Sequence, residues 1–130
     1  MENSTMRKGP EQWFLDAHPE RGSVRVQVST GRGLFPVEGA RVEIYRRLGP
    51  EPTVFYEGVT DASGIAEDIR LPALPAGWSQ SAETAGISGT AYSVAVRHPQ
   101  YGAAEPRQVL VFPRVESLLA VSLTPTGQEA

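Results

Sequence analysis

Two phrases decide how this chain folds: Pro36-Val37-Glu38-Gly39-Ala40-Arg41-Val42-Glu43-Ile44 and Val59-Thr60-Asp61-Ala62-Ser63-Gly64-Ile65-Ala66. The first reads as a turn leading into a strand. The second reads as a strand, a tight turn and the strand that follows. A short acidic side chain at Asp61 can accept bonds from backbone N–H groups just ahead of it, and Gly64 can take a positive φ without steric cost. Gly39, Asp61 and Gly64 are therefore expected to be turn-forming residues. A calcium-binding reading of Asp61 needs several more oxygen ligands at set spacing, and Asp61-Ala62-Ser63-Gly64 does not supply them.

Working outward, the same alternation of apolar and polar residues recurs. Val24, Val26 and Val28 alternate with Arg25 and Gln27, the pattern of a half-buried strand. Gly31-Arg32-Gly33 is a flexible turn. It is not a phosphate loop, because the Lys-Ser/Thr pair and helix that should follow are missing. The spacing predicts further strands over Ala40–Arg46, Val54–Thr60, Ile65–Leu71, Tyr92–Val96, Gln108–Phe112 and Leu118–Leu123. The Leu48–Pro52 and His98–Gly102 stretches read as turns. Pro72–Gly89 is the longest irregular stretch, a loop over one end of the fold with Trp78 as its anchor. Seven short strands at this spacing fit an all-β, two-sheet antiparallel β-sandwich.

Composition agrees. Among 130 residues there are 13 glycines and 11 prolines, a turn-rich balance that argues against a helical bundle. The length fits one domain, with boundaries expected at 1–22 for an N-terminal arm, 23–125 for the sandwich and 126–130 for a C-terminal tail. A formal charge of −3 gives no reason to expect nucleic acid as a partner. There is no cysteine, which excludes disulfides, a thiol nucleophile and thiolate metal sites. No segment approaches the ~18 apolar residues that would span a bilayer. Met1–Gly22 lacks the apolar core of a secretory signal. The expected setting is a surface, spore or extracellular one reached by another export route, or otherwise the cytoplasm.

Trp13-Phe14-Leu15 is an apolar patch in an otherwise polar arm, bracketed by Pro10 and Pro19. Residues of this kind bury themselves against something. Two readings stand open: the patch covers part of its own sandwich, or it docks on a neighbouring copy.

The catalytic inventory is thin. His18 and His98 are the only histidines, and a metal site requires three or four convergent ligands. Ser79, Ser81 and Ser88 lie in the long loop with no signalled His-Asp partners. No catalytic residue, metal or cofactor is expected. Trp78 and Tyr101 are candidate stacking residues for a sugar or peptide.

The pattern resembles the carboxypeptidase regulatory-like domains of bacterial type, which share the transthyretin-like (prealbumin-like) sandwich. The resemblance rests on Val37-Glu38-Gly39-Ala40-Arg41-Val42, Thr60-Asp61-Ala62-Ser63-Gly64, Tyr92-Ser93-Val94-Ala95-Val96, His98-Pro99-Gln100-Tyr101 and Val121-Ser122-Leu123-Thr124-Pro125, in that order. Gln100 stands where the family usually has glycine. The resemblance implies an accessory, adhesive or structural module. It brings no peptidase site, since nothing matches a His-x-x-Glu motif. The Tyr-Arg-Gly-Ser ending of transthyretin-like hydrolases is also missing, the chain closing Thr126-Gly127-Gln128-Glu129-Ala130. A fold does not dictate a function. The leading expectation is a non-catalytic structural subunit that self-associates, into a filament or a surface, spore or phage-like assembly, through its arm. The partner would be itself or a larger protein assembly. The alternative is a monomeric module binding carbohydrate or cell-wall glycan.

Overall fold

A computed structural model of the chain describes residues 10–31, 33–73 and 89–125. Among the described residues, one helix, α1 (Pro10–Ala17), precedes nine strands. These are β1 (Glu20–Thr30), β2 (Phe35–Pro36), β3 (Arg41–Arg47), β4 (Pro52–Val59), β5 (Ile65–Ala73), β6 (Thr90–His98), β7 (Gly102–Ala103), β8 (Arg107–Val111) and β9 (Glu116–Ser122). Seven of them match the expected strands, and β2 and β7 are two-residue additions.

The first sheet is built on β1, flanked by β5 and β9. The second runs β4-β3-β6, with β7 and β8 both pairing the far side of β6. All pairs are antiparallel except one: β9 lies parallel to β1, from Ser23 opposite Glu116 to Ser29 opposite Ser122. This departs from the all-antiparallel expectation. Alternation reports which face of a strand is buried, and a parallel partner buries the same face.

The inward faces meet in one core. Val24, Val26 and Val28 of β1 are fully buried, as are Val42 and Ile44 of β3. Ile69 and Leu71 of β5, Tyr92 and Val94 of β6 and Val111 of β8 belong to it as well. The Tyr92 hydroxyl donates to the Pro72 carbonyl at 2.6 Å, so its polar tip is satisfied.

Two bulges interrupt the alternation. Between Val24 and Val26, β5 carries one extra residue, and Asp68 there has φ of 62°. The adjacent exposed pair Glu67-Asp68 is the trace this bulge leaves in the sequence. A second bulge in β4 lets both Phe55 and Tyr56 pack against the core.

β1 starts at Glu20, earlier than its valines indicate, because Glu20–Gly22 pair with Leu71–Ala73. Gly22 is required there: a Cβ on it would strike the Phe112 carbonyl oxygen. Of the irregular stretch expected over 72–89, Pro72 and Ala73 belong to β5. Trp78, Ser79, Ser81 and Ser88 lie outside the described residues, as do 1–9 and the tail 126–130.

Candidate functional site

The Trp13-Phe14-Leu15 patch sits in the eight-residue helix α1. Pro10 opens the helix, where its missing N–H costs nothing, and Pro19 stops the chain from continuing it. The Gln12 amide donates to Asp16 one turn on, at 3.0 Å. His18 closes the C-terminal end: its Nδ1–H donates to the Phe14 carbonyl at 2.7 Å, satisfying an acceptor the helix leaves open.

Phe14 anchors the helix to its own sandwich. It is 7% exposed and packs edge-on to Phe55 and Tyr92, with centroids at 5.6 and 6.2 Å. The His18 ring stacks on it at 3.9 Å. The Arg46 guanidinium lies 5.1 Å from the Phe14 centroid, a cation–π contact. Of the two open readings for the patch, the one in which it covers its own sandwich describes Phe14. Trp13 and Leu15 turn outward and are 62% and 36% exposed.

Arg46 escaped the sequence reading, although a signal was present. It follows Val42 and Ile44 on the inward face of β3, where a charge is out of place. Its Nη1 donates to the Ala91 carbonyl at 2.6 Å, while its buried Nε makes no hydrogen bond among the described residues. The His18 imidazole sits below its ordinary value, first because burial disfavours the charged form. The bond to Phe14 works against this, and the nearby Arg46 charge adds to the lowering.

At the opposite end of β3 the turn residues converge. Thr60 is buried and joins the two deciding phrases. Its Oγ1 accepts from the Ala40 N–H at 2.9 Å and donates to the Val37 carbonyl at 2.6 Å. Asp61 Oδ1 accepts from the N–H groups of Ser63 and Ile65, at 2.9 and 3.0 Å. Gly39 and Gly64 have φ of 79° and 77°. His98 ties this end together: its Nε2–H donates to the Glu38 carbonyl and its Nδ1 accepts from the Gln100 N–H. Tyr101 is half-buried, edge-on to His98 at 5.0 Å, and packs against the core.

At both ends these polar groups are engaged by the chain's own backbone. His98 has both ring nitrogens engaged, and the Asp61 oxygen accepts two backbone bonds. Tyr92, its phenol raised well above the usual range by burial, is held as a neutral donor. His18 and His98 lie in the two separate neighbourhoods and do not meet. Among the described residues no group of three or more His, Cys, Asp or Glu converges to hold a metal. Among them, too, no helix is long and apolar enough to cross a membrane.

Comparison with known proteins places this geometry. No family model matches the sequence, and no curated protein matches it. Solved structures do. The TIE protein of Bacillus anthracis superposes with a TM-score of 0.53 at 16% identity over 82% of this chain, which spans only 17% of that protein. Transthyretin from Sparus aurata gives 0.52 at 16% identity, over 78% of this chain and 88% of that one. The 5-hydroxyisourate hydrolase of Klebsiella pneumoniae gives 0.47 at 15% identity, over 82% of this chain and 92% of that one.

Proposed function

We propose that this transthyretin-like β-sandwich is a non-catalytic structural module that associates with copies of itself through the outer side of helix α1. The observation that carries the reading is the division of labour within Trp13-Phe14-Leu15. Phe14 is spent in the molecule's own core, which fixes the helix on the sandwich, while Trp13 stays 62% exposed beside Leu15. A large aromatic held outward on a fixed element is the kind of residue that anchors interfaces. Repetition of such a contact gives a closed ring or an open filament, depending on whether the rotation closes. The non-catalytic half of the reading is supported by how the candidate groups are used, since His98 and Asp61 are committed to backbone partners.

The test is light scattering behind size exclusion, with negative-stain microscopy, on the full chain and on a Trp13→Ala, Leu15→Ser variant. Rings, filaments or defined oligomers from the parent, dispersed in the variant, are the expected result. A monomer from both at high micromolar concentration overturns the proposal.

A further inference from the structure

Strand β1 has an exposed aromatic residue at each of its ends. Helix α1 leads into its first residue and holds Trp13 outward. After its last residue, Thr30, the chain turns back into β2, and Leu34 and Phe35 of that hairpin are 75% and 59% exposed. Trp13 and Phe35 are the two exposed aromatic residues among the described residues. Between them β1 runs for 11 residues, roughly 36 Å of extended chain. The two cannot meet within one molecule.

The hairpin tip is held in place by its own backbone. The Leu34 N–H donates to the Gly31 carbonyl at 3.2 Å. The Phe35 ring lies over Gly31, where a Cβ would come within 2.9 Å of it. Turn tips are ordinarily built of small or polar residues, so a leucine and a phenylalanine held out in water are out of place here. Pro36, which follows, has no N–H to give an added strand. The hairpin therefore offers side chains rather than a strand edge.

We infer that the Leu34-Phe35 tip of one copy is the surface on which the Trp13 face of the next copy docks, a head-to-tail junction that rests on the association through α1 proposed above. A contact of α1 with α1 would leave Leu34 and Phe35 in water on every copy. It would also fall far short of the ~800 Å² per partner that a standard interface buries. A head-to-tail junction adds the apolar surface of the hairpin to that of Trp13, and it engages each inner copy at both ends. Because the two surfaces differ and lie at opposite ends of β1, the contact is heterologous and repeats from copy to copy.

The experiment is sedimentation velocity, up to high micromolar concentration, on the full chain. The samples are the parent, Trp13→Ala, a Leu34→Ser, Phe35→Thr variant, an equal mixture of those two variants, and Leu118→Ser, an exposed leucine on β9, as the control. The parent is expected to form species larger than a dimer. Each of the two end variants alone weakens association at least about tenfold, the loss of an interface anchor. Their mixture gives discrete dimers and nothing longer, since one intact Trp13 face and one intact hairpin remain to meet once. Such dimers also show that both variants are folded. Leu118→Ser assembles as the parent does. If the hairpin variant assembles like the parent while Trp13→Ala does not, this junction falls and the association through α1 stands. A monomeric parent, or a Trp13→Ala variant that assembles unchanged, overturns both. A mixture without dimers, or equal dispersal by Leu118→Ser, overturns the junction.

Discussion

At the residue scale, Thr60 does the most with the least. One hydroxyl satisfies a donor and an acceptor on the Val37–Ala40 turn, both in a place water does not reach. Thr60→Val keeps the shape and removes both bonds, so a loss of about 1–3 kcal/mol in chemical denaturation is expected. Gly64 and Gly39 make a sharper pair. Both have positive φ, but a Cβ on Gly64 would collide with the Val28 carbonyl oxygen, whereas one on Gly39 meets only His98 Nε2 at 3.8 Å. Gly39→Ala is expected to cost about 1 kcal/mol, the conformational penalty alone. Gly64→Ala is expected to cost about 3 kcal/mol, and equal costs would show that the collision is relieved by movement. The roles of Gly39, Asp61 and Gly64 were legible in the sequence because turn chemistry is local. Arg46 was harder, because its partners Ala91 and Phe14 are distant in sequence.

At the element scale, the edge strands carry features that oppose strand addition. Arg107 on β8 reaches across to the Ala120 carbonyl of β9, and Ser117 on β9 donates to the Leu110 carbonyl of β8. These side chains occupy acceptors that an incoming strand would use. On the other side, β4 begins at Pro52 and bulges at Phe55, and β5 bulges at Asp68. Association through the face of α1 therefore fits the molecule better than pairing of an extended arm. An Arg107→Ala, Ser117→Ala double variant is expected to keep its melting temperature within a few degrees but to form thioflavin-positive aggregates faster than the parent. Among the described side chains of helix α1, Phe14 is the one buried in the core. Phe14→Ala is expected to release the helix, at a cost near ~3 kcal/mol. Hydrogen exchange should then rise over 10–17 while the amides of β1, β3 and β6 stay protected. Protection retained in α1 would mean that Trp13 and Leu15 hold the helix instead.

At the scale of the whole molecule, stability should depend on pH through His18. Its folded-state value lies below 6.5, so the unfolded chain takes up the proton first. Stability is then fullest above pH 6.5, falls as the pH drops below it, and levels off once the folded value is passed. Glu57 acts in a separate, more acid window: its carboxyl is lowered from 4.5, chiefly by the Arg41 bond, so its contribution is lost only as the pH falls below 4.5. Unfolding free energies from pH 8 to 5 should decline in the parent and flatten in a His18→Gln variant. A decline that persists in the variant assigns the effect to another group.

The sequence by itself determined the strands, the turns and the faces that turn inward, because alternation and turn chemistry act between residues close together in the chain. From those followed the sandwich, down to the seven strands and the tight turn at Asp61. Tertiary structure alone decided the rest. The parallel pairing of β9 with β1 joins residues nearly a hundred positions apart, and alternation carries no sign of direction. The docking of α1 depended on a socket made by Arg46, Phe55 and Tyr92, three strands brought together only by folding. The placing of Arg97 opposite Arg41 arises from register across β3 and β6, where a shift of one residue would have sent it to the other face.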